Sequence, residues 1–292
     1  MKLFDAHCHL QDPRILNMVP NIIRSAVDRG VVHFAVNGVS ENDWQTVKEI
    51  SKNYPSVVPN FGLHPWFISD RSPNWLKTLK EYFEATPEAA VGEIGLDKGS
   101  VGKKIDFRDQ VEVFRQQLCV AKELKRPVST HCVCAYGDLL EILKSEGPFP
   151  NGIILHSFLG PAEMVPEFAK LGAYFSFSGF LMSLKESKAK KMVRSVPLER
   201  ILLETDAPDG FPTLCNSLED ALVLTEEGSE ERLNHPANIK AVLDYVASLL
   251  EMSIEKLADV SFSNALNLFS FDGSKLGRCC SEVVSGSKRD EA

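Results

Sequence analysis

The sequence predicts a single (β/α)8 TIM-type barrel, and three observations predict it. Eight short apolar runs of strand length recur along the chain. Each is followed by a helix-patterned stretch or a long connection, and 292 residues suffice for one such barrel. The other architecture with this alternation is a doubly wound open sheet, which normally shows a glycine-rich phosphate turn after an early strand. Here the first strand ends in Asp5-Ala6-His7-Cys8-His9 and supplies none.

Leu3 to Ala6 reads as the first buried strand, ending in His7-x-His9. Helical apolar spacing follows over Ile15 to Arg29 and stops at Gly30. Val31 to Val36 is the second strand, and a helix is expected from Glu41 to about Lys52 with Ser40 as its N-cap. Val57 to Phe61 is the third strand, followed by Gly62-Leu63-His64-Pro65-Trp66 and a helix over Asn74 to Glu84. Ala89 to Gly92 is the fourth, running into Glu93-Ile94-Gly95-Leu96-Asp97. A long helix is expected from Asp106 to Leu124, with Val111, Phe114, Leu118 and Ala121 on one stripe. Pro127 to Thr130 is the fifth strand, ending at His131, and Tyr136 to Lys144 the next helix. Gly152 to Leu155 ends at His156, and helices are expected over Ala162 to Lys170 and Ser183 to Arg194, either side of the seventh strand, Ala173 to Phe177. Ile201 to Leu203 is the eighth strand and leads into Glu204-Thr205-Asp206-Ala207-Pro208.

Beyond the eighth strand, Leu214 to Leu233 is an acidic insertion expected near the barrel mouth, and Pro236 to Leu250 and Ile254 to Leu268 read as closing helices. The barrel is therefore assigned to residues 1–271, with a disordered Ser-, Gly- and charge-rich tail over 272–292. The adjacent Cys279 and Cys280 fall in that tail.

The bulk numbers narrow the function classes. A net charge of −8 argues against a broad basic surface that coats nucleic acid, although a bound cation can dominate the field of a site. Seven cysteines without a framework spacing suggest a reducing compartment and no disulfide scaffold. With no signal-like apolar core and no run of membrane-spanning length, the expected location is cytoplasmic, with the nucleus also open, and no membrane partner. The sequence leaves the oligomeric state open, and a monomer is compatible with it.

Six candidate ligands stand at predicted strand ends: His7, His9, Glu93, His131, His156 and Asp206. In a (β/α)8 barrel all eight carboxyl ends open on one rim, so residues some two hundred positions apart meet in one pocket. Side chains two apart on a strand share a face, which converges His7 and His9. Neutral imidazole ligates zinc and its neighbours. A charged residue such as Glu93 or Asp206 at an apolar strand end is costly unless paired or metal-bound. Four histidines and two carboxylates exceed the needs of one tetrahedral ion and fit two ions about 3.5–4 Å apart with a bridging carboxylate. His33, inside its strand, and His235, beside Pro236, read as structural, and Cys8 as packing on the opposite face of the strand.

These motifs carry a resemblance. Phe4-Asp5-Ala6-His7-Cys8-His9-Leu10, Gly62-Leu63-His64-Pro65, Gly92-Glu93-Ile94-Gly95-Leu96-Asp97, Phe114-x-x-Gln117-Leu118, Pro127-Val128-x-x-His131, His156-x-Phe158-x-Gly160 and Glu204-Thr205-Asp206-Ala207-Pro208 resemble the TatD-type deoxyribonuclease family of the metal-dependent amidohydrolase superfamily. The resemblance spans nearly the whole chain. It implies a TIM-type barrel that cleaves phosphodiester bonds in DNA with two divalent ions, Mg, Mn or Zn. It implies further that His7, His9, Glu93 and Asp206 hold one ion, and that Glu93, His131 and His156 hold the other. His64 would contact the scissile phosphate, and Asp206, with Glu93, would serve catalysis, Asp206 as general base. The chain departs from the family in three places: Cys132-Val133-Cys134-Ala135 where an arginine is common, Ser157 where a cysteine is usual, and Lys98-Gly99-Ser100 where an aromatic pair is common. A hydrolase of small amides, lactones or phosphoesters on the same site is the main alternative, and a non-catalytic scaffold the lesser one.

Overall fold

The computed structural model describes residues 1–213, 221–225 and 231–276. Eight parallel strands form one sheet in sequence order: β1 (Leu3–Cys8), β2 (Val31–Asn37), β3 (Val57–Phe61), β4 (Ala90–Asp97), β5 (Val128–Val133), β6 (Ile153–Leu155), β7 (Ala173–Phe177) and β8 (Ile201–Leu203). The ends of the sheet meet through the chain just beyond β8. Asp206 N donates to His7 O at 3.0 Å, His9 N donates to Ala207 O at 2.7 Å, and the buried Asp5 accepts from Thr205 N at 2.9 Å. The barrel is thus closed where two of the candidate ligand segments lie side by side.

The connecting helices are α1 (Val19–Asp28), α2 (Trp44–Asn53), α3 (Trp75–Ala85), α4 (Phe107–Leu124), α5 (Tyr136–Glu146), α6 (Val165–Lys170) and α7 (Glu186–Ser195), with α8 (Ile239–Leu250) and α9 (Ile254–Phe269) closing the chain. Each buries an apolar stripe on the barrel, as in α4, whose Val113, Phe114, Leu118 and Ala121 are buried. Asp106 caps α4 by accepting from Arg108 N and Asp109 N. The expected cap at Ser40 is not one. α2 starts at Trp44, and it is Asp43 whose carboxylate accepts from Val39 N and Ser40 N, so the turn before the helix is folded by the acid and not by the serine.

Two apolar clusters stabilise the fold. One lies between the helices and the outside of the barrel and contains Cys8, so the packing role expected for that thiol holds. The other lies where the strands begin and joins Phe4, Ala35, Val58, Ala90, Ile154 and Leu202 to Leu268, Phe269, Phe271 and Leu276. Phe4 and Phe269 stack with centroids 5.2 Å apart. Residues 272–276 therefore do not belong to a frayed tail: Ser274 and Leu276 are buried, and Ser274 donates through its hydroxyl to Phe269 O. Two apolar side chains, Phe271 and Leu276, outweigh the polar composition around them. Cys279 and Cys280 lie outside the described residues.

β4 and β5 run further than expected, to Asp97 and Val133, with Gly95 paired to His131 and Asp97 to Val133. Glu93 and His131 therefore sit within strands. Gly95 permits this at φ +151°, since a Cβ there would stand 2.0 Å from the His131 carbonyl oxygen. The insertion after β8 returns as a short antiparallel ribbon, β9 (Val223–Leu224) with β10 (Leu233–Asn234), and its Glu231 and Arg232 line the mouth of the barrel, where the insertion was expected. Among the described residues no helix is long and apolar enough to cross a membrane.

Candidate metal centre

The carboxyl ends of the strands converge on a buried cluster of imidazoles and carboxylates. His7 Nε2, His9 Nε2, Glu93 Oε2 and Asp206 Oδ1 gather at one point. The separations His7–His9, His7–Glu93, His7–Asp206, His9–Glu93 and His9–Asp206 run 3.2, 3.5, 3.7, 3.4 and 3.4 Å. Separations of that length are those between neighbouring nitrogen or oxygen donors that share one ion at about 2.1 Å. The other oxygen of Glu93 faces the opposite way: Oε1 lies 2.9 Å from His131 Nδ1, 2.8 Å from His156 Nε2 and 3.4 Å from His64 Nε2. One carboxylate thus serves two adjacent groups of donors. All six sequence-predicted ligands are brought together, and His64 joins them. His33 and His235 stay apart: His33 packs on Phe4 and Phe262, and His235 accepts from Ala237 N and bonds Ser25 Oγ.

The outward-facing ring nitrogens show which atoms are free to ligate. His9 Nδ1 donates to Asn37 O at 2.8 Å, which leaves the Nε2 lone pair for the site. His7 Nδ1 is 2.8 Å from Ser129 Oγ, and His131 Nε2 is 3.3 Å from Asp97 Oδ2, so His7 Nε2 and His131 Nδ1 are likewise aimed inward. His64 is the opposite case. Its Nδ1 accepts from Trp66 N at 3.2 Å, so the ring proton sits on Nε2 and points at the cluster. Burial drives the pKa of His64 down to about 4, which keeps the ring neutral. A neutral ring with that tautomer is a hydrogen-bond donor and not a ligand.

Charge completes the fit. Burial alone would raise Glu93, but the charge of His156 and the hydrogen bonds from His131 and His156 outweigh it and hold it well below the ordinary carboxylate value. Burial opposes ionisation of Asp206 as well, and the His9 hydrogen bond with the His156 and His7 charges keeps it low. His9 shows the reciprocal effect: burial lowers it, yet Asp206 and Glu93 push it up to about 9. Two full negative charges in a buried pocket have to be balanced by imidazolium protons or by divalent cations, so an entering cation displaces protons.

Three side chains with no role assigned from the sequence stand behind these candidate ligands. Asp97 backs His131, Ser129 backs His7, and the buried Glu204 lies 3.6 Å from His156 Nδ1 while accepting from Ser157 N and Ser157 Oγ. Asp97 and Glu204 were visible as acids within apolar motifs, and a buried acid beside a ligand histidine is the signal that finds them. The three departures from the family pattern sit around this shell: Cys132 is buried, Lys98 pairs with Asp138 at 2.6 Å, and Ser157 bonds Glu204 and Ser178.

Residues 4–270 match the family described as TatD related DNase. The chain belongs to that family. It is 32% identical over 267 residues to the uncharacterized metal-dependent hydrolase YabD of Bacillus subtilis, covering 91% of this chain and 98% of that one. It is 28% identical over 279 residues to the human deoxyribonuclease TATDN3, covering 91% and 94%. The crystal structure of YjjV, a TatD homolog from Escherichia coli K12, superposes with a TM-score of 0.80 at 25% identity over 92% of this chain and 98% of that one. This TatD-family chain is a metal-dependent hydrolase on a TIM-type barrel.

Proposed function

We propose that the protein is a deoxyribonuclease that hydrolyses phosphodiester bonds in DNA at a dinuclear centre, with His7, His9, Glu93 and Asp206 holding one divalent ion and Glu93, His131 and His156 the other. The observation that carries the reading is the division of Glu93, one oxygen turned to each group of imidazoles. The human relative named a deoxyribonuclease supports DNA as the substrate. Bound there, the ions would supply Lewis acidity to the phosphoryl oxygens and lower the pKa of the attacking water.

The chain's own groups do the rest. Asp206, kept ionised by its histidine neighbours, takes the proton of the attacking water and returns it to the leaving oxygen. His64 donates a hydrogen bond from its Nε2–H to a phosphoryl oxygen, a role its fixed tautomer and neutral ring suit. The site opens on a cleft of about 1600 Å³, and its rim carries the exposed side chains of Trp66, Val133 and Phe180. Stripping the metal, restoring Mg²⁺, Mn²⁺ or Zn²⁺ and assaying DNA cleavage tests the proposal. Cleavage should vanish and return, and Asp206→Asn should abolish it. Hydrolysis of small esters or amides with no cut DNA overturns the substrate, and undiminished cleavage by Asp206→Asn overturns the site.

A further inference from the structure

Trp66 lies between the rim and the buried donors. It sits on the turn Pro65–Asp70 after β3, with its side chain 41% exposed in the wall of the cleft. Its indole Nε1–H donates inward to Asp97 Oδ2 at 2.5 Å. That same carboxylate oxygen is 3.3 Å from His131 Nε2, and His131 Nδ1 is 2.9 Å from Glu93 Oε1. Asp97 is held from every other side. Its Oδ1 accepts from Gly99 N, its backbone exchanges bonds with the buried Gln110, and a Cβ at Gly102 would stand 2.3 Å from its own Cβ. A carboxylate so caged has one place to be, and only the rim residue and the histidine touch its Oδ2 among the described side chains.

We propose that Trp66 and Asp97 are positioning residues for the second group of donors: Asp97 sets the tautomer and ring angle of His131, and the indole N–H of Trp66 sets Asp97. The inference rests on the two-ion reading above. It deepens that reading by making the second ion's affinity depend on a residue exposed at the mouth. His131 has no other acceptor for Nε2 among the described residues, whereas His7 and His9 take theirs from Ser129 and Asn37 and are indifferent to Trp66. Coupling of this kind acts both ways, so whatever presses on the indole biases the second ion, and the second ion stiffens the indole.

The test is titration calorimetry of the metal-stripped full chain with Mn²⁺, in parallel with tryptophan emission. Trp66→Phe keeps an aromatic side chain and the backbone N–H that donates to His64, and removes the indole N–H together with part of the ring volume. The wild type should bind two ions. Trp66→Phe should bind the first unchanged and the second about tenfold more weakly, and Asp97→Asn should weaken the second by up to about a hundredfold, the range measured for groups that orient metal ligands. Emission of the wild type should change with the second equivalent and that of Trp66→Phe should not, because Trp44 and Trp75 are buried away from the cleft. Unchanged second-site affinity in Trp66→Phe, or equal weakening of both sites, overturns the proposal. A single site in the wild type overturns the two-ion reading itself, and is seen before any variant is made.

Discussion

The two ends of this barrel are built on the same strands and work by opposite physics. Where the strands begin, Phe4, Ala35, Val58, Ala90, Ile154 and Leu202 meet Phe269, Phe271 and Leu276 in an apolar plug. Where they end, His7, His9, Glu93, His131, His156 and Asp206 crowd buried charge into a few ångströms. On β1 the two are three residues apart: Phe4 belongs to the plug and His7 to the cluster. The plug stabilises by burial alone. The cluster is arranged around charge that a cation has to balance, and burying charge costs stability unless it is paired. The lesson is a division of labour along each strand, in which one end supports the fold and the other end depends on that support.

A pair of substitutions tests the division most severely. Glu93→Gln preserves shape but takes the charge from both groups of donors. Losing one preorganised group costs about 10²–10³ in rate, and a residue shared by two should reach at least the upper figure, about a thousandfold in DNA cleavage. Phe269→Ala should leave the rate per folded molecule unchanged and lower stability by about 3–5 kcal/mol, read from chemical denaturation. A Phe269→Ala protein that stays fully folded but cuts DNA tenfold more slowly would show that the ends are coupled and the division is wrong.

A smaller effect comes from a histidine that belongs to neither end. His235 is buried where α1 meets the turn before α8, and burial, with Arg29 nearby, lowers its pKa from 6.5 to about 4. Between those values the unfolded chain binds a proton that the native chain does not. Stability attributable to His235 is therefore full above pH 6.5 and falls as the pH drops towards 4, by about 2–3 kcal/mol at one pKa unit per 1.4 kcal/mol. His235→Asn keeps a side-chain oxygen to accept from Ala237 N, so its stability should fall less steeply over that window. Identical slopes would remove His235 from the acid sensitivity and leave it to the metal-centre end.

Periodicity and punctuation revealed most of the fold. β3, β7 and β8 have the bounds their apolar runs predict, and six candidate ligands stood out because imidazoles and acids interrupted apolar strands. The signal that exposed the ligands also blurred the strands. Glu93 and His131 read as the ends of β4 and β5 because polar residues usually end strands, whereas here the ladder continues past them to Asp97 and Val133. Asp97, Ser129 and Glu204 were invisible as supports because their value lies in long-range contacts: Glu204 bonds Ser157, and Ser129 bonds His7 across 122 positions. Likewise the polar residues after 271 hid one apolar side chain that seals the plug, Leu276.

The smallest effect probes how much slack the metal-centre end has. Ser157 stands where the family usually has cysteine, and its hydroxyl is 2.7 Å from both Glu204 Oε1 and Ser178 Oγ. Ser157→Cys exchanges a strong donor for a weak one, yet the backbone N–H of residue 157 still donates to Glu204 Oε1 at 2.6 Å. Glu204 therefore keeps its shorter tether, and His156 keeps the carboxylate behind Nδ1. Both hydroxyl contacts, to Glu204 and Ser178, are weakened while Glu204 Oε1 is still served by the backbone, so the cost should be about 1–2 kcal/mol of stability and no more than about threefold in cleavage rate. The same loss at Asp97 would be far larger, since His131 has no second acceptor for its Nε2 among the described residues. If Ser157→Cys cuts the rate as deeply as Asp97→Asn, then His156 is seated by the serine hydroxyl and not by the backbone, and His156 and His131 are supported alike.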